Sequence, residues 1–401
     1  MKKYLFLLLL SVLMLPAKAQ MDSLIVDNDS VVTMPWPQTL QADIDTLIQS
    51  SSLLNISEVG LMVYDLTADS TLYTYNHRHT LRPASNMKLV TAIAALDRLG
   101  GGHQFQTSLY YTGVLDSCTL RGDLYCVGGM DPRFNADDLN AFVEQVKSLG
   151  IDTIRGRIVA DKSMKDEDLL GSGWCWDDDN PTLSPLLISR KDNFTERYAN
   201  ALQKAGIFVD VALTEGKLPS GAKKLCTRFH TMDQILMKMM KDSDNLYAES
   251  MFYQLGAAGG KPATLKKARA IINKLIDRLG LPSSAYNIAD GSGLSLYNYL
   301  SPELEVALLR YAWKNSEIRI HLYPSLPIAG QDGTLSKRMQ RTAAAGNVHA
   351  KTGTLKGVTT LAGYCTAKNG HVLCFAIMNQ GVLQTTRGRD FQDKLCVLMC
   401  Q

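Results

Sequence analysis

The chain has 401 residues, of which 46% are hydrophobic and 20% charged, with a formal charge of +3. This composition excludes a disordered polymer and a low-complexity fibre, and the length exceeds what one core of about 250–300 residues usually serves. The surplus charge lies in the leader: the first nineteen residues hold three lysines and no acid, and without them 39 basic residues face 39 acidic ones, excluding the basic excess of a nucleic-acid binder and adsorption to anionic lipid by charge alone.

The leader opens with Lys2 and Lys3, continues in an apolar run over 5–15, and ends on Ala17-Lys18-Ala19. That order predicts a secretory signal peptide over 1–19, cleaved near Ala19. The apolar run falls short of the roughly 20 residues that span a bilayer, so the mature chain is expected to be exported without a transmembrane anchor. Residues 20–40 are polar, contain Pro35 and Pro37, and read as a surface lead-in.

A helix is expected near 39–51, a strand over 58–66, a turn at Ala68-Asp69-Ser70 and a return strand over 72–75. The apolar spacing of Met87, Leu89, Val90, Ile93, Ala94, Leu96 and Leu99 predicts a largely buried helix with Ser85 at its N-terminus, stopped by Gly100 and Gly101. From about 104 to 225 short β-type runs recur between Gly-, Pro- and Asp-rich turns, which reads as a mostly β insertion with its own small core. Long helical patterns follow at 231–256, 262–279 and 302–314, then strands around turns over 346–379 and a helix near 387–399. The pattern predicts one α/β domain, split into 20–103 and 226–401, with 104–225 as a β-rich insertion domain.

Eight cysteines are present, and an exported protein can oxidise them. With Asn369-Gly370 as a two-residue hairpin turn, Cys365 falls opposite Cys374, near enough to bridge; two buried thiols are the equal alternative. No spacing suggests a zinc site.

Three short motifs carry chemistry. In Ser85-Asn86-Met87-Lys88, a helix starting near residue 85 puts the Lys88 amine one turn from the Ser85 hydroxyl. A serine is a weak nucleophile until a base takes its proton, and a desolvated lysine near other cations can be that base. Ser220 and Lys223 repeat the spacing, but in a Pro-Ser-Gly turn with no helix to align them. Ser243-Asp244-Asn245, inside a helical pattern, offers a hydroxyl for proton relay and an amide for a substrate carbonyl; alone it reads equally as a surface turn. Tyr198-Ala199-Asn200 is a rival in the tyrosine form, within the insertion. Lys351-Thr352-Gly353, followed by Thr354 at a strand start, offers a cation and hydroxyls for a carboxylate and a close backbone approach at glycine.

Together the three form the Ser-x-x-Lys, Ser-x-Asn, Lys-Thr-Gly series in order. With RPASNMKLVTAIAALDRLG (82–100), ADGSGLSLYNYLSP (289–302), LPIAGQDGTLSKRM (326–339) and HAKTGTLKGVTTLAGY (349–364), the chain resembles the D-alanyl-D-alanine carboxypeptidase/endopeptidase family of class C low-molecular-mass penicillin-binding proteins, peptidase family S13. The 158 positions between Ser85 and Ser243 match that family's large insertion, and GDLYCVGGMDPRF (122–134) resembles its sequence, with Met130 where a third glycine is expected.

The resemblance implies the serine β-lactamase/penicillin-binding-protein transpeptidase-like fold, an antiparallel sheet flanked by helices. It implies Ser85 as the acylated nucleophile, Lys88 as its base, and Ser243 relaying protons with Lys351. Asn245 would orient the substrate amide, and Lys351, Thr352, Gly353 and Thr354 would hold the substrate end. The backbone N–H groups of Ser85 and Thr354 would form the oxyanion hole. The implied partners are peptidoglycan stem peptides and covalently bound β-lactams, and no metal or organic cofactor is needed. Asp177 or Asp178, beside Trp174 and Trp176, is a candidate for binding the amino end of the stem peptide; a folded loop with capping acids is the plainer reading.

A β-lactamase shares the motifs, but between Glu249 and Glu303 there is no glutamate for the deacylation step of class A enzymes. A non-catalytic penicillin- or wall-binding module is the other alternative, and it has no need of all three motifs.

Overall fold

The computed structural model describes residues 35–176 and 180–401. The expected signal peptide and Asp177 and Asp178 lie outside the described residues.

The chain opens with α1 (Gln38–Ser50), β1 (Glu58–Asp65), β2 (Ser70–Tyr75) and α2 (Met87–Leu99). A second group follows: β3 (Gln104–Tyr111), β4 (Val114–Asp116), β5 (Thr119–Arg121), β6 (Leu124–Val127), α3 (Ala136–Ser148), β7 (Thr153–Asp161), α4 (Phe194–Lys204), β8 (Phe208–Glu215) and β9 (Lys223–Thr231). The remainder is α5 (Met232–Lys241), α6 (Asn245–Ala258), α7 (Leu265–Arg278), α8 (Pro302–Lys314), α9 (Ser316–Ser325), β10 (His349–Leu355), β11 (Val358–Thr366), β12 (Val372–Gln380) and α10 (Thr385–Cys400).

The first sheet has the order β10-β11-β12-β1-β2 and is antiparallel throughout. Its central strands are covered on both faces, so β1 is buried from Val59 to Asp65 and β11 from Val358 to Cys365. They read as near-continuous apolar runs because neither face meets water. One face packs on α2 and the helices α5 to α9. The other packs on α1 and α10. Every residue of α2 from Met87 to Leu96 is buried, the state expected of a helix without a polar face. Gly100, at φ +79°, ends it in a conformation that a side chain disfavours.

The second sheet joins β3 to β9 and encloses its own core of Leu109, Phe134, Phe142, Ile154, Phe194 and Tyr198 among others. β7 pairs in parallel with β5, β6 and β8. Two helices, α3 and α4, pack in this segment; the β-type runs were legible, the helices were not singled out. The rival Tyr198 lies fully buried in this core, and Ser220 and Lys223 are exposed at the start of β9. Met130 adopts φ +58°, so the position where glycine was expected does take the left-handed conformation, with a buried methionine occupying it.

Two expectations are corrected. The helical pattern 231–256 is two helices: Ser243 turns to φ +59°, and the Asp244 carboxylate accepts the backbone N–H groups of Leu246 (3.0 Å) and Tyr247 (3.4 Å) to cap α6. A capping carboxylate offers the backbone an alternative to continuing the previous helix. Cys365 does not face Cys374. Residues 367–371 form a longer connection closed by Gly370 N–H to Ala367 O (2.9 Å), and the register pairs Tyr364 with Cys374 and Cys365 with Leu373. The one-residue offset turns the two thiols to opposite faces of the sheet, Cys374 into one core and Cys365 into the other. Cys365 and Cys374 are both unbridged thiols.

Candidate active site

The turn before α2 is a short 3₁₀ segment, Ala84–Asn86, that presents Ser85 half-buried while Asn86, Met87 and Lys88 are buried. Ala84 takes φ +48°, and a Cβ on Gly293 would sit 1.8 Å from the Ala84 carbonyl oxygen. The loop carrying Gly293 therefore presses on the Ser85 turn at a distance only glycine permits.

Lys88 is enclosed. Its Nζ lies 3.0 Å from Ser85 Oγ, 2.8 Å from Asn245 Oδ1 and 2.7 Å from the Ser292 carbonyl oxygen. Burial lowers the amine to about 8, and Asp290, Glu249 and Asp244 oppose that shift. The neutral amine has two hydrogens and one lone pair. Asn245 Oδ1 and the Ser292 carbonyl can only accept, so they take both hydrogens and leave the lone pair to face the Ser85 hydroxyl.

Lys351, on the edge strand β10, is also buried, and its Nζ donates to Ser243 Oγ (2.9 Å) and to the Thr352 carbonyl (2.6 Å). Burial first, then the Lys88 charge, hold this amine well below the ordinary lysine range. Thr352 Oγ1 lies 2.7 Å from Thr334 Oγ1, and Arg389 donates to Thr354 Oγ1 at 3.3 Å. Thr352 is half-buried and Thr354 is exposed. A Cβ on Gly353 would come within 3.0 Å of the Ser85 backbone nitrogen, so β10 runs directly against the Ser85 turn. Arg190 reaches from the second-sheet segment to bond Asp244 Oδ2 (2.7 Å), tying that segment to the middle motif.

The structure thus joins all three motifs, linking Ser85, Lys88 and Asn245 in one hydrogen-bonded set and Ser243, Lys351 and Thr352 in another, with Gly353 beside Ser85. It adds partners that the sequence reading left without a role: Thr334, the Ser292 carbonyl, and the carboxylates of Glu249 and Asp290. For all of these but Glu249 the signal was present, since 289–302 and 326–339 stand out as family-like stretches. Nothing in a linear pattern says which carbonyl turns inward. Among the described residues, no group of three or more His, Cys, Asp or Glu side chains is placed to hold a metal ion.

Next to Ser85 in the chain, Asn86 Nδ2 donates to Glu305 Oε2 at 3.0 Å, while Asn86 Oδ1 and Glu305 Oε1 are buried with no partner. A proton on Glu305 Oε1 would supply a donor where these two buried acceptors have none. Burial accordingly raises this carboxyl to about 8, against the smaller opposing effect of Asn86. The folded protein then keeps a proton that the unfolded chain releases near the ordinary value of 4.5, so this group's stabilisation is lost as pH rises toward about 8. Glu305→Gln reproduces the donor and acceptor of the protonated acid without titrating. Relative to the parent protein, its melting temperature is expected to rise progressively from pH 5 to 8 (about the window of the shift). A constant difference in calorimetry across that range would contradict a protonated Glu305.

Comparison with known proteins bears on this site. Residues 40–190 and 187–401 match the family model of the D-Ala-D-Ala carboxypeptidase 3 (S13) family. The chain is 28% identical over 445 residues to a D-alanyl-D-alanine carboxypeptidase from Actinomadura sp. (strain R39), covering 85% of this chain and 81% of that protein. It is 26% identical over 405 residues to D-alanyl-D-alanine carboxypeptidase DacB from Haemophilus influenzae, covering 80% and 84%. Among solved structures, penicillin binding protein 4 (dacB) from Haemophilus influenzae superposes with TM-score 0.80 at 24% identity, covering 88% of this chain and 99% of that one. A predatory endopeptidase from Bdellovibrio bacteriovorus shares the fold with TM-score 0.59 at 17% identity, over 85% and 93%.

Proposed function

The chain belongs to the D-Ala-D-Ala carboxypeptidase 3 (S13) family and is a serine DD-peptidase, and on that premise we propose that Ser85, Lys88, Ser243 and Lys351 carry out acyl transfer on peptidoglycan stem peptides. The reading is supported above all by the Lys88 amine, whose two hydrogens are taken by acceptor-only oxygens and whose lone pair is left for Ser85.

Neutral Lys88 takes the Ser85 proton as Oγ attacks the carbonyl carbon of the penultimate D-alanine. The developing oxyanion is held by the Ser85 and Thr354 backbone N–H groups. Asn245 orients the substrate amide. Ser243, bonded to Lys351, delivers a proton to the leaving D-alanine nitrogen as its bond to the acyl carbon breaks. Lys351 and Thr352 hold the terminal carboxylate, with Gly353 allowing the substrate to lie close to β10. Water then hydrolyses the acyl-enzyme. Cleavage of a D-alanine cross-link is the same reaction with a larger leaving group, and a β-lactam would stop at the acyl-enzyme stage.

We further propose that 1–19 is a signal peptide and that the mature protein works in the periplasm or cell envelope, with 104–225 as an inserted domain. Among the described residues, no helix is long and apolar enough to cross a membrane.

The test is intact-protein mass after brief exposure to benzylpenicillin, with peptide mapping. A single adduct on the Ser85 peptide is expected. Penicillin left intact with no adduct would refute the assignment, and penicillin hydrolysed with no adduct would indicate a β-lactamase.

A further inference from the structure

The loop 289–298 between α7 and α8 is folded around two buried carboxylates. Glu249, on α6, accepts the backbone N–H of Gly291 on both oxygens (3.1 and 3.2 Å) and that of Ser292 at 2.8 Å. Asp290 accepts from the backbone of Gly293 (2.8 Å) and Ser295 (2.6 Å), from Asn298 Nδ2 (2.8 Å) and from Trp174 Nε1 (2.9 Å). Trp174 is buried and comes from the segment that separates the first two motifs. The product of this folding is one inward carbonyl, that of Ser292, aimed at Lys88 Nζ. Thr91 Oγ1 donates to the neighbouring Gly291 carbonyl at 2.7 Å, so α2 grips the loop next to the base.

Two buried carboxylates are expensive unless hydrogen-bonded, and here seven donor contacts meet them. Packing alone would be served more cheaply by apolar side chains in a core of this size. Glu249 is fully buried, and burial, followed by the Asp290 charge, pushes its carboxyl up, while the backbone N–H bonds pull it back. The net position is about 8, with both oxygens accepting backbone hydrogens that oppose the rise.

We propose that Glu249, Asp290 and Trp174 are positioning residues for the catalytic base: they hold the Ser292 carbonyl where it fixes one hydrogen of Lys88 and so aims the lone pair at Ser85. The inference rests on the Ser85–Lys88 reading and deepens it. It makes the separating segment, through Trp174, part of the support of the base. Removing one of the two acceptor-only partners frees the amine to turn, and small misplacements of a reacting group are costly.

Charge gives a second readout. The charged groups acting on Lys88 are Glu249 from α6, Asp244 at the cap of α6, Asp290 from the loop and Lys351 from β10; the three acids favour its ammonium form. Replacing Glu249 by a neutral group therefore moves the pH at which the base becomes neutral downward.

The experiment follows benzylpenicillin acylation of the full chain by mass across its acid limb, separating the maximal acylation rate from the non-covalent dissociation constant. Glu249→Gln keeps the shape but turns an amide toward backbone N–H groups. It is expected to lower the maximal rate about tenfold to a hundredfold, to leave the dissociation constant nearly unchanged, and to shift the acid limb to lower pH. Trp174→Phe keeps the ring, removes one bond to Asp290, and is expected to lower the rate several-fold with the limb unmoved. A folded Glu249→Gln protein with the parent's rate and limb overturns the proposal. If that variant does not fold, a Trp174→Phe protein acylating at the parent's rate overturns it equally. Absence of a Ser85 adduct on the parent protein would instead sink the underlying functional reading.

Discussion

Ser85→Ala is expected to abolish covalent penicillin labelling and DD-peptidase activity together, and Lys88→Met to slow acylation about 10²–10⁴-fold while leaving Ser85 in place. The first follows from chemistry alone: no other hydroxyl shares the Lys88 amine, since its remaining partners are the Asn245 and Ser292 oxygens. The second is the sharper test of mechanism. Methionine retains the unbranched bulk that a fully buried side chain requires but offers no basic nitrogen. Lys88→Arg is expected to fail as badly, because a guanidinium cannot deprotonate and is too broad for an enclosed amine site. In the parent protein the acylation rate should climb as pH rises toward about 8, the value to which burial lowers Lys88. Lys88→Met should lose that limb. A variant that acylates slowly but keeps the limb would move the base to Lys351.

What the sequence could say about this site followed from spacing and from helix starts. Ser85 and Lys88 meet because three residues make nearly one turn, and the apolar pattern from Met87 to Leu99 already identified a buried helix to carry them. The Lys-Thr-Gly strand was legible from its β-pattern, and β10 does lie along the nucleophile turn. The middle motif was legible as residues but not as geometry. Asp244 reads as one more polar residue in a helical pattern, whereas in three dimensions it caps α6, bonds Arg190 and turns Ser243 toward Lys351.

Two further elements escaped for a different reason: their roles depend on long-range register. The Cys365–Cys374 pairing rested on a two-residue turn, and a longer connection shifts every partner by one. Strand pairing offers no intermediate outcome, because a single-residue slip sends each side chain to the other face. The acids behind the site are the second case. Of Glu249, Asp290 and Glu305 only Asp290 sits in a family-like stretch, and burial of an acid is invisible until the donors that surround it are assembled. Glu305 is held by Asn86 and Glu249 by a loop 42 residues further along the chain. Acids are almost never fully buried unless paired or hydrogen-bonded, so a linear sequence gives no reason to expect burial of any one of them.

Gly353→Ala should combine a large structural penalty with a large catalytic one. A Cβ there would lie 2.1 Å from Thr360 Oγ1, 2.8 Å from the Pro83 carbonyl oxygen and 3.0 Å from the Ser85 nitrogen. Two of these neighbours are backbone, and the third is pinned, since Thr360 Oγ1 donates to Pro83 O at 2.8 Å. None can swing aside, so β10 must withdraw from the nucleophile turn. Overpacking of this kind costs about 1–3 kcal/mol of stability. The catalytic cost is separate. Withdrawal moves the Thr354 N–H away from the Ser85 N–H and opens the pair that would hold the oxyanion, for which loss of one donor typically costs about 10²–10³ in rate. Lys351 Nζ reaches Ser243 from the same strand, so the proton relay lengthens as well. Acylation should therefore fall by at least the oxyanion factor at temperatures where circular dichroism reports a folded protein. If the variant melts earlier but acylates at the parent rate while folded, the backbone N–H groups of Ser85 and Thr354 are not the oxyanion hole, and the strand's closeness to Ser85 serves packing alone.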